Sequence, residues 1–407
     1  MSNKVPLLRF NGYSDAWVQR KLSELMSFSN GINAAKEQYG TGRKMISVMD
    51  ILTPGRMKFE NILNSVSVSH DIEEKNLVNS GDLVFVRSSE VTSEVGWAKA
   101  YTDSNPALFS GFSIRGKKAT SFDSVFVELA LNSRGRRQIE RQAGGSTRFN
   151  ASQGLLSNIA INMPSEEEQS KISSMMLQLD NLIAANQRKL DLLKEQKKGY
   201  LQKMFPKNGE KVPELRFAGF VDDWEERKLR DLLNKNSEKN KNLSVINVES
   251  VSNKTGFTKQ TDQFEDYSVA SADLSNYYVI REKQFAYNPS RINVGSIAYK
   301  DLGDEISVVS PLYVSFSTKK VLNDGFLWNW FKTASFDAQR QRLSEGGVRD
   351  TLSFNQLSEM NTMFPTYPEQ EKIGSFFKLL DDTIALHQRK LDLLKEQKKG
   401  FLQKMFV

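Results

Sequence analysis

Two stretches of the chain carry apolar residues at a helical spacing over a long run. They recur about every 3.5 residues, which is the spacing of a coiled-coil seam. The first stretch begins after Pro164 with three glutamates, which suit the positive end of a helix dipole. We predict two long helices that pair along this seam. Its positions are Ile172, Met176, Leu179, Ile183, Leu190, Leu193, Tyr200 and Met204, then Ile373, Phe377, Leu380, Ile384, Leu391, Leu394, Phe401 and Met405.

The apolar stripes and charged runs of these helices also permit other interpretations. A stripe of this kind packs equally onto a helix's own globular domain, although two near-identical stripes fit each other better. Asn186 and His387 interrupt the seam, where a buried polar residue commonly fixes register. The charged runs 194–198 and 395–399 fit a solvated helix face, a DNA-contacting stripe or a docking surface for another protein.

The segments 26–161 and 233–363 have a different texture. Short apolar or alternating runs, such as 83–89 and 306–316, are separated by Gly, Pro, Asn and Asp, which is typical of strands and turns. We therefore predict an α+β fold class. It would consist of two globular domains separated by a pair of long antiparallel coiled-coil helices.

The chain also repeats itself once. Segment 186–205 returns almost letter for letter as 387–406, and segment 5–25 matches 212–232. Between these shared segments the two halves look unrelated, and the period is far longer than that of a solenoid. We predict an internal pseudo-twofold repeat, in which a shared frame surrounds dissimilar inserts. The predicted parts are a first domain, a first spacer helix, a second domain and a second spacer helix, over residues 1–163, 164–206, 207–363 and 364–407.

Composition narrows the function classes. The 407 residues include no cysteine and only two histidines, which excludes disulfides, thiolate metal sites and cysteine nucleophiles; we expect no metal site. The 56 basic residues exceed the 49 acidic ones, a net charge of +7, which favours a nucleic-acid partner. Neither a membrane-spanning run nor a signal-peptide core stands out, so we expect a cytoplasmic protein.

Basic residues are dense in both inserts and are the candidate DNA contacts. Arginine can bond a guanine edge in two places and lysine can neutralise phosphate, although any one of these residues is equally well a plain surface charge. The candidates in the first insert are Arg87, Arg115, Lys117, Lys118, Arg136, Arg137, Arg141 and Arg148. Those in the second are Arg281, Arg291, Lys300, Arg340, Arg342 and Arg349.

Catalytic motifs are scarce, and we predict no catalytic residue. Residues 111–117 have the Gly-x-x-x-x-Gly-Lys spacing of a phosphate loop, but Lys118 stands where Ser or Thr should hold magnesium. Residues 288–291 only partly match the tetrad of amino-methyltransferases, since its second proline and stacking aromatic are missing. The sequence contains neither a serine-hydrolase elbow nor a His-Glu-x-x-His motif. This inventory predicts binding rather than catalysis.

Taken in order, these segments resemble the specificity subunit of type I restriction-modification systems. Each half begins with Pro-x-Leu-Arg-Phe-x-Gly followed by a tryptophan. Each half ends with Glu-Gln-x-Lys-Ile, which leads into Leu-Asp-Leu-Leu-Lys-Glu-Gln-Lys-Lys-Gly. The likeness covers essentially the whole chain.

The resemblance implies a subunit without catalysis of its own, whose two target-recognition domains read the halves of a bipartite, asymmetric site in double-stranded DNA. It implies two methylation subunits docked on the helices, and restriction subunits joined to them. No cofactor is implied for this chain, and S-adenosylmethionine, ATP and magnesium would belong to the partners. At about 1.5 Å per residue, each helix would span roughly 55 Å and act as a ruler between the half-sites.

Two other classes stay open. A single-chain restriction or modification enzyme would methylate or cut DNA unaided. A coiled-coil scaffold would bind its partners without affinity for DNA. A salt titration separates the scaffold from a DNA-binding adaptor, because phosphate contacts make affinity fall steeply with salt.

Overall fold

The chain forms two compact units. The first unit is Met1–Arg188 together with Gln388–Val407, and the second is Lys189–His387. Each unit therefore combines one globular part with pieces of both long helices. The computed structural model on which this description rests covers residues 5–145, 147–207, 209–260, 273–344 and 351–407.

The first unit is an α+β globule around an antiparallel sheet. Its strands are β1 (Val18–Lys21), β2 (Met26–Asn30), β3 (Tyr39–Ile46), β4 (Ser65–Val66), β5 (Leu83–Val86), β6 (Ser88–Ser89), β7 (Ala98–Ala100), β8 (Leu108–Phe109), β9 (Ser113–Lys118), β10 (Phe149–Asn150) and β11 (Ala160–Met163). Its helices are α1 (Leu22–Leu25), α2 (Val48–Leu52), α3 (His70–Lys75), α4 (Ser124–Asn132), α5 (Arg136–Gln142), α6 (Gln153–Asn158) and the start of α7 (Glu166–Lys203).

The second unit is built in the same way. Its strands are β12 (Glu225–Lys228), β13 (Leu233–Lys235), β14 (Glu249–Ser252), β15 (Gly256–Lys259), β16 (Tyr278–Ile280), β17 (Gln284–Tyr287), β18 (Ile297–Tyr299), β19 (Ser307–Val309), β20 (Val314–Thr318) and β21 (Asn361–Phe364). Its helices are the end of α7, α8 (Asp324–Trp330), α9 (Ala334–Ser344), α10 (Phe354–Glu359) and the start of α11 (Tyr367–Lys404).

Each insert contains a four-stranded sheet, and the two sheets have equivalent strand orders although the insert sequences look unrelated. The strand order is β2-β9-β5-β7 in the first unit and β13-β20-β17-β18 in the second, with every pair antiparallel. A two-stranded ribbon closes each globular part, β1 with β11 and β12 with β21. The central strand β5 is a wholly buried apolar run, which is why its sequence shows no alternation.

The aromatic centre of each core includes a phenylalanine that lies two residues beyond the end of a long helix. In the first unit, the Phe406 ring lies 5.4 Å from Phe126, which lies 5.5 Å from Trp17. In the second, the Phe205 ring lies 5.2 Å from Phe326, which lies 5.6 Å from Trp224. Aromatic pairs in these geometries add roughly 0.5–1.5 kcal/mol each beyond the buried area.

The long helices run antiparallel to each other within each unit. In the first, Lys398 near the end of α11 pairs with Asp180 in the first half of α7. In the second, Lys197 near the end of α7 pairs with Asp381 in the first half of α11. The antiparallel arrangement of the two long helices, together with the two α+β globular parts, confirms the predicted fold class.

The six central seam positions turn away from solvent. Leu190, Leu193 and Leu391 are buried, and Ile183, Ile384 and Leu394 are half-buried. The side chain of Asn186 is also buried and donates to the carbonyl of Leu182 in its own helix over 2.8 Å. Across the described ranges, no helix is both long and apolar enough to cross a bilayer.

Candidate nucleic-acid interface

One arginine–glutamate pair in each unit ties the leading segment to the start of a long helix. Arg9 donates to both carboxylate oxygens of Glu168 over 2.7 and 2.8 Å. Arg216 donates to Glu369 over the same two distances. Both glutamate side chains are fully buried, and their hydrogen bonds raise the pKa of each arginine. Because such two-pronged pairs fix geometry, the repeated frame residues close the fold rather than face a ligand.

Two of the predicted DNA contacts in the first unit are buried. Arg115 is 8% exposed and donates to the carbonyl of Lys75 over 3.2 Å. Arg136 is 7% exposed and donates to the carbonyl of Thr92 and to Glu140 over 3.2 and 3.0 Å. Burial lowers the pKa of both guanidinium groups. Since both guanidinium groups are buried and donate to carbonyl or carboxylate oxygens of their own domain, we remove both from the proposed DNA surface.

Two candidates in the second unit are buried in the same way. Lys300 is 2% exposed and donates to Glu249 over 2.5 Å and to Ser307 over 3.0 Å. Arg340 is 6% exposed and donates twice to one carboxylate oxygen of Asp337, over 2.8 and 3.1 Å. These two residues are likewise structural. The sequence alone does not separate these two residues from surface bases, because their burial depends on how the helix that contains Arg340 and the strand that precedes Lys300 pack in the fold.

The exposed candidates of the first unit are spread over its surface. Lys117 and Arg141 are exposed and form no ion pair with the described residues. Lys118 is exposed, but its ammonium group donates to the carbonyl of Phe122 over 2.6 Å. Arg137 lies in a basic cleft that also contains Lys399 near the end of α11. Lys117 and Lys118 are thus consecutive residues of β9, whereas Arg137 and Arg141 lie one turn apart in α5.

Arg87 and Arg148 do come together, around an exposed phenylalanine that the sequence analysis missed. The guanidinium carbon of Arg148 lies 6.0 Å from the centroid of the Phe112 ring. The backbone nitrogen of Arg87 donates to the carbonyl of Phe112 over 2.9 Å. Its side chain donates to the carbonyl of Gly111 over 3.2 Å. We name these residues, Arg87, Gly111, Phe112 and Arg148, the aromatic apex.

The aromatic apex excludes the phosphate-loop interpretation of residues 111–117. A phosphate loop leads from a strand into the N-terminus of a helix. Here the chain makes a turn and enters β9 instead, with Arg115 buried beneath the sheet. The two glycines serve a turn and a strand, so the spacing in the sequence is coincidental.

The exposed candidates of the second unit are fewer. Arg281 donates to both carboxylate oxygens of Glu238 over 2.7 and 3.0 Å, so its charge is already paired. Arg291 is exposed, and Arg342 is exposed beside Glu226 in a cleft. The prediction for Arg349 lies outside the described residues.

Comparison with known proteins gives the family. A family model described as the type I restriction modification DNA specificity domain matches residues 15–195 and again 221–396. The type I restriction enzyme MjaVIII specificity subunit of Methanocaldococcus jannaschii is 22% identical over 267 residues, 61% of this chain and 61% of that protein. The chain thus spans about three fifths of the length of this curated relative.

Solved structures show the same fold. The crystal structure of a type I restriction-modification S subunit from M. genitalium is similar over 99% of both chains, with a TM-score of 0.62 and 15% sequence identity. A chain from a study of complex assembly and conformational transition of the type I R-M system is similar over 96% of this chain and 97% of its own, with a TM-score of 0.50 and 12% identity.

The family match confirms the resemblance drawn from the sequence. Its two matched stretches correspond to the two repeats and take in most of the chain. The family and the curated relative are specificity components, so the prediction of a non-catalytic subunit is confirmed as well. The chain belongs to the family of type I restriction-modification DNA specificity proteins, with one copy of the specificity domain in each half.

Proposed function

We propose that this chain is the DNA-recognition subunit of a type I restriction-modification complex and binds a bipartite, asymmetric site in double-stranded DNA. Each unit reads one half of the site, and the long helices set the spacing between the halves. The chain has no chemistry of its own in this role and acts where the chromosome is, in the cytoplasm.

One observation carries this proposal: an identical frame surrounds two dissimilar inserts. The pairs Arg9–Glu168 and Arg216–Glu369 have the same two donor–acceptor distances, 2.7 and 2.8 Å. The sheet inserted into each frame has the same strand order but different side chains. Sequence is read by side chains at base edges, so different inserts on one scaffold suit two different half-sites.

The repeated frame also supports two equivalent partners. The helix ends 186–205 and 387–406 are nearly identical, so each unit offers the same helical surface once. Two copies of one protein binding one chain is the arrangement that a pseudo-twofold repeat permits. We propose that two methylation subunits bind there and that restriction subunits join them. S-adenosylmethionine, ATP and magnesium are expected in those partners and not in this chain.

Genome-wide methylation mapping tests the proposal directly. Cells that carry this chain and its methylation subunit are compared with cells that lack only this chain. We expect a bipartite methylated motif that disappears with the chain. If methylation is unchanged, the chain does not direct it.

Exchange of one insert tests the independence of the two units. Residues 233–363 are replaced by the corresponding insert of another family member, and methylation is mapped again. One half of the motif should change while the other half and the spacer stay the same. A change in both halves would contradict the assignment of one half-site to each unit.

The helices are tested separately by lengthening both by one turn. The tolerated spacer between the half-motifs should shift, because the helices hold the readers apart in this proposal. An unchanged spacer would remove the ruler role. A salt titration of the purified chain on motif-bearing duplex distinguishes the scaffold alternative. A DNA-binding chain should lose affinity steeply as salt rises, whereas a scaffold should not bind the duplex at any salt concentration.

A further inference from the structure

The aromatic apex holds a phenylalanine ring in solvent on a rigid turn. Phe112 is 57% exposed and lies in the turn between β8 and β9. The backbone nitrogen and the hydroxyl group of Ser113 both donate to the carbonyl of Ser110, each over 2.9 Å. The nitrogen of Gly111 donates to the carbonyl of Ile32 over 2.8 Å. Because the backbone is pinned on both sides of it, the ring cannot fold back into the core.

Gly111 shows how tightly this turn is packed. A Cβ added at this position would lie 1.8 Å from the side-chain oxygen of Asn33. Asn33 is itself exposed, so an amide group stands directly beside the apex. Any larger residue at 111 would displace this amide or move the turn.

The two arginines give the apex its charge. Arg148 lies over the Phe112 ring, and the side chain of Arg87 is held by the carbonyl of the preceding residue, Gly111. Neither arginine forms an ion pair with any carboxylate among the described residues. An exposed apolar ring with one unneutralised guanidinium group over it and a second on the adjoining carbonyl is poorly suited to a protein core. It suits a nucleic acid strand, in which each base has a phosphate on either side.

The second unit has an apolar residue at the corresponding place. Its turn lies between β19 and β20 and is closed by the nitrogen of Tyr313, which donates to the carbonyl of Ser310 over 3.0 Å. Leu312 at this turn is 81% exposed. Both turns lead into the strand that pairs with the central strand of the sheet, β9 with β5 and β20 with β17. The position is therefore a feature of both sheets, while the residue on it differs.

We propose that Phe112 is a wedge that enters the base stack of duplex DNA bound by the first unit, with Arg87 and Arg148 on the flanking phosphates. This inference rests on the proposed function and adds a residue to it. Phenylalanine and leucine are among the side chains that proteins insert between base steps. Leu312 occupies the same position for the half-site of the second unit. Asn33, whose side-chain amide lies against Gly111, is placed to hydrogen-bond an exposed base edge.

The test uses the full chain in complex with its methylation subunits. The probe is a fluorescein-labelled duplex of about four helical turns that carries the motif found by methylation mapping. Affinity is measured over a range of salt concentrations for wild type, Phe112→Ala, Phe112→Trp and Arg148→Ala. Leu63→Ala is the matched control, since Leu63 is an apolar side chain of the same unit that is 89% exposed.

We expect Phe112→Ala to weaken binding about tenfold, the loss typical of one stacked aromatic residue, with no change in salt dependence. Phe112→Trp should keep the affinity. Arg148→Ala should lower the slope of log affinity against log salt by about one. Leu63→Ala should match wild type. Three outcomes would overturn the wedge. Phe112→Ala could bind DNA with wild-type affinity, Leu63→Ala could lose as much DNA affinity as Phe112→Ala, or the Phe112→Ala chain could lose its methylation subunits.

A second measurement separates a wedge from simple surface contact. 2-Aminopurine, whose fluorescence rises on unstacking, replaces successive purines of the motif. Wild-type complex should brighten one position in the half-site bound by the first unit. Phe112→Ala should abolish this signal, and Leu312→Ala should leave it. No brightening at any position would overturn the wedge. If wild-type complex does not bind the motif at all, the proposed function fails with it, whereas binding without brightening removes only the inference.

Discussion

In the first unit, the closing contacts are Arg9 with Glu168 and Phe406 with its aromatic neighbours; in the second, Arg216 and Phe205 make the same contacts at nearly the same distances. The solvent-facing surfaces differ. The first unit exposes Phe112 with Arg148 over its ring, whereas the second exposes Leu312, and its Arg281 is paired with a glutamate. Interactions that close the fold are thus independent of what the sheet displays. This separation is what makes an exchange of inserts feasible.

The largest expected loss of folding free energy comes from removing a ring from the aromatic centre of either unit. Phe406→Ala should lower the free energy of unfolding of the first unit by about 3–5 kcal/mol, because it leaves a cavity among large rings. Phe205→Ala should do the same to the second unit. Urea unfolding followed by hydrogen exchange assigns each loss to a unit. Loss in both units from one substitution would show that the cores are not independent.

The buried ion pairs come next. Glu168→Gln and Glu369→Gln should each lower the free energy of unfolding by roughly 3 kcal/mol, because a buried arginine loses its charge partner. The two values should agree closely, since the geometry is the same. Chemical denaturation of the two variants side by side measures this. A large difference between them would mean that the inserts contribute to the closing contacts after all.

A pH dependence sharpens the comparison further. Lys332 lies 4.2 Å from the centre of the Trp328 ring and 3.9 Å from Asp381. Desolvation, and then the nearby Lys197, lower the pKa of Lys332 to about 7. The unfolded chain therefore binds more protons between about pH 7 and 10, so the second unit should gain stability as pH rises through this range and lose it again as pH falls.

Lys332→Met should remove that dependence. It should also raise the free energy of unfolding below pH 7 by up to about 1 kcal/mol, a modest gain because part of the side chain stays in solvent. Thermal unfolding at pH 6 and pH 10 measures the effect. The exposed Lys320, replaced by Met, is the control and should change neither value. A pH profile left unchanged by Lys332→Met would show that this lysine titrates normally.

The smallest effect is expected at the surface of the second unit. Arg281→Ala breaks an exposed pair with Glu238 and should lower the free energy of unfolding by about 0.5 kcal/mol or less. DNA affinity should hardly change, because the charge of Arg281 is already neutralised. Denaturation and the salt titration described above give both numbers. A tenfold weaker affinity would mean that DNA displaces Glu238.

The sequence was sufficient for the long helices, because apolar positions such as Leu190 and Leu391 keep one spacing along the whole element. It also located the repeated frame. It could not distinguish Arg115 from Arg148, since nothing local shows that Arg115 lies in a buried stretch of β9 and Arg148 in an exposed bend before β10. Nor could it reveal Phe112 as exposed, because isolated phenylalanines in strand-rich segments are usually core residues. Those properties depend on long-range packing that local patterns do not contain.

The position of Phe406 in the first core bears on how the chain is made. The first unit combines Met1–Arg188 with Gln388–Val407, so its two parts are synthesised with the whole of the second unit between them. The first unit, although synthesised first, waits for Met405 and Phe406 to fill its centre. Its incomplete core should remain open to proteases and chaperones until those two residues have emerged, and a truncation that removes Met405 and Phe406 should damage the first unit most.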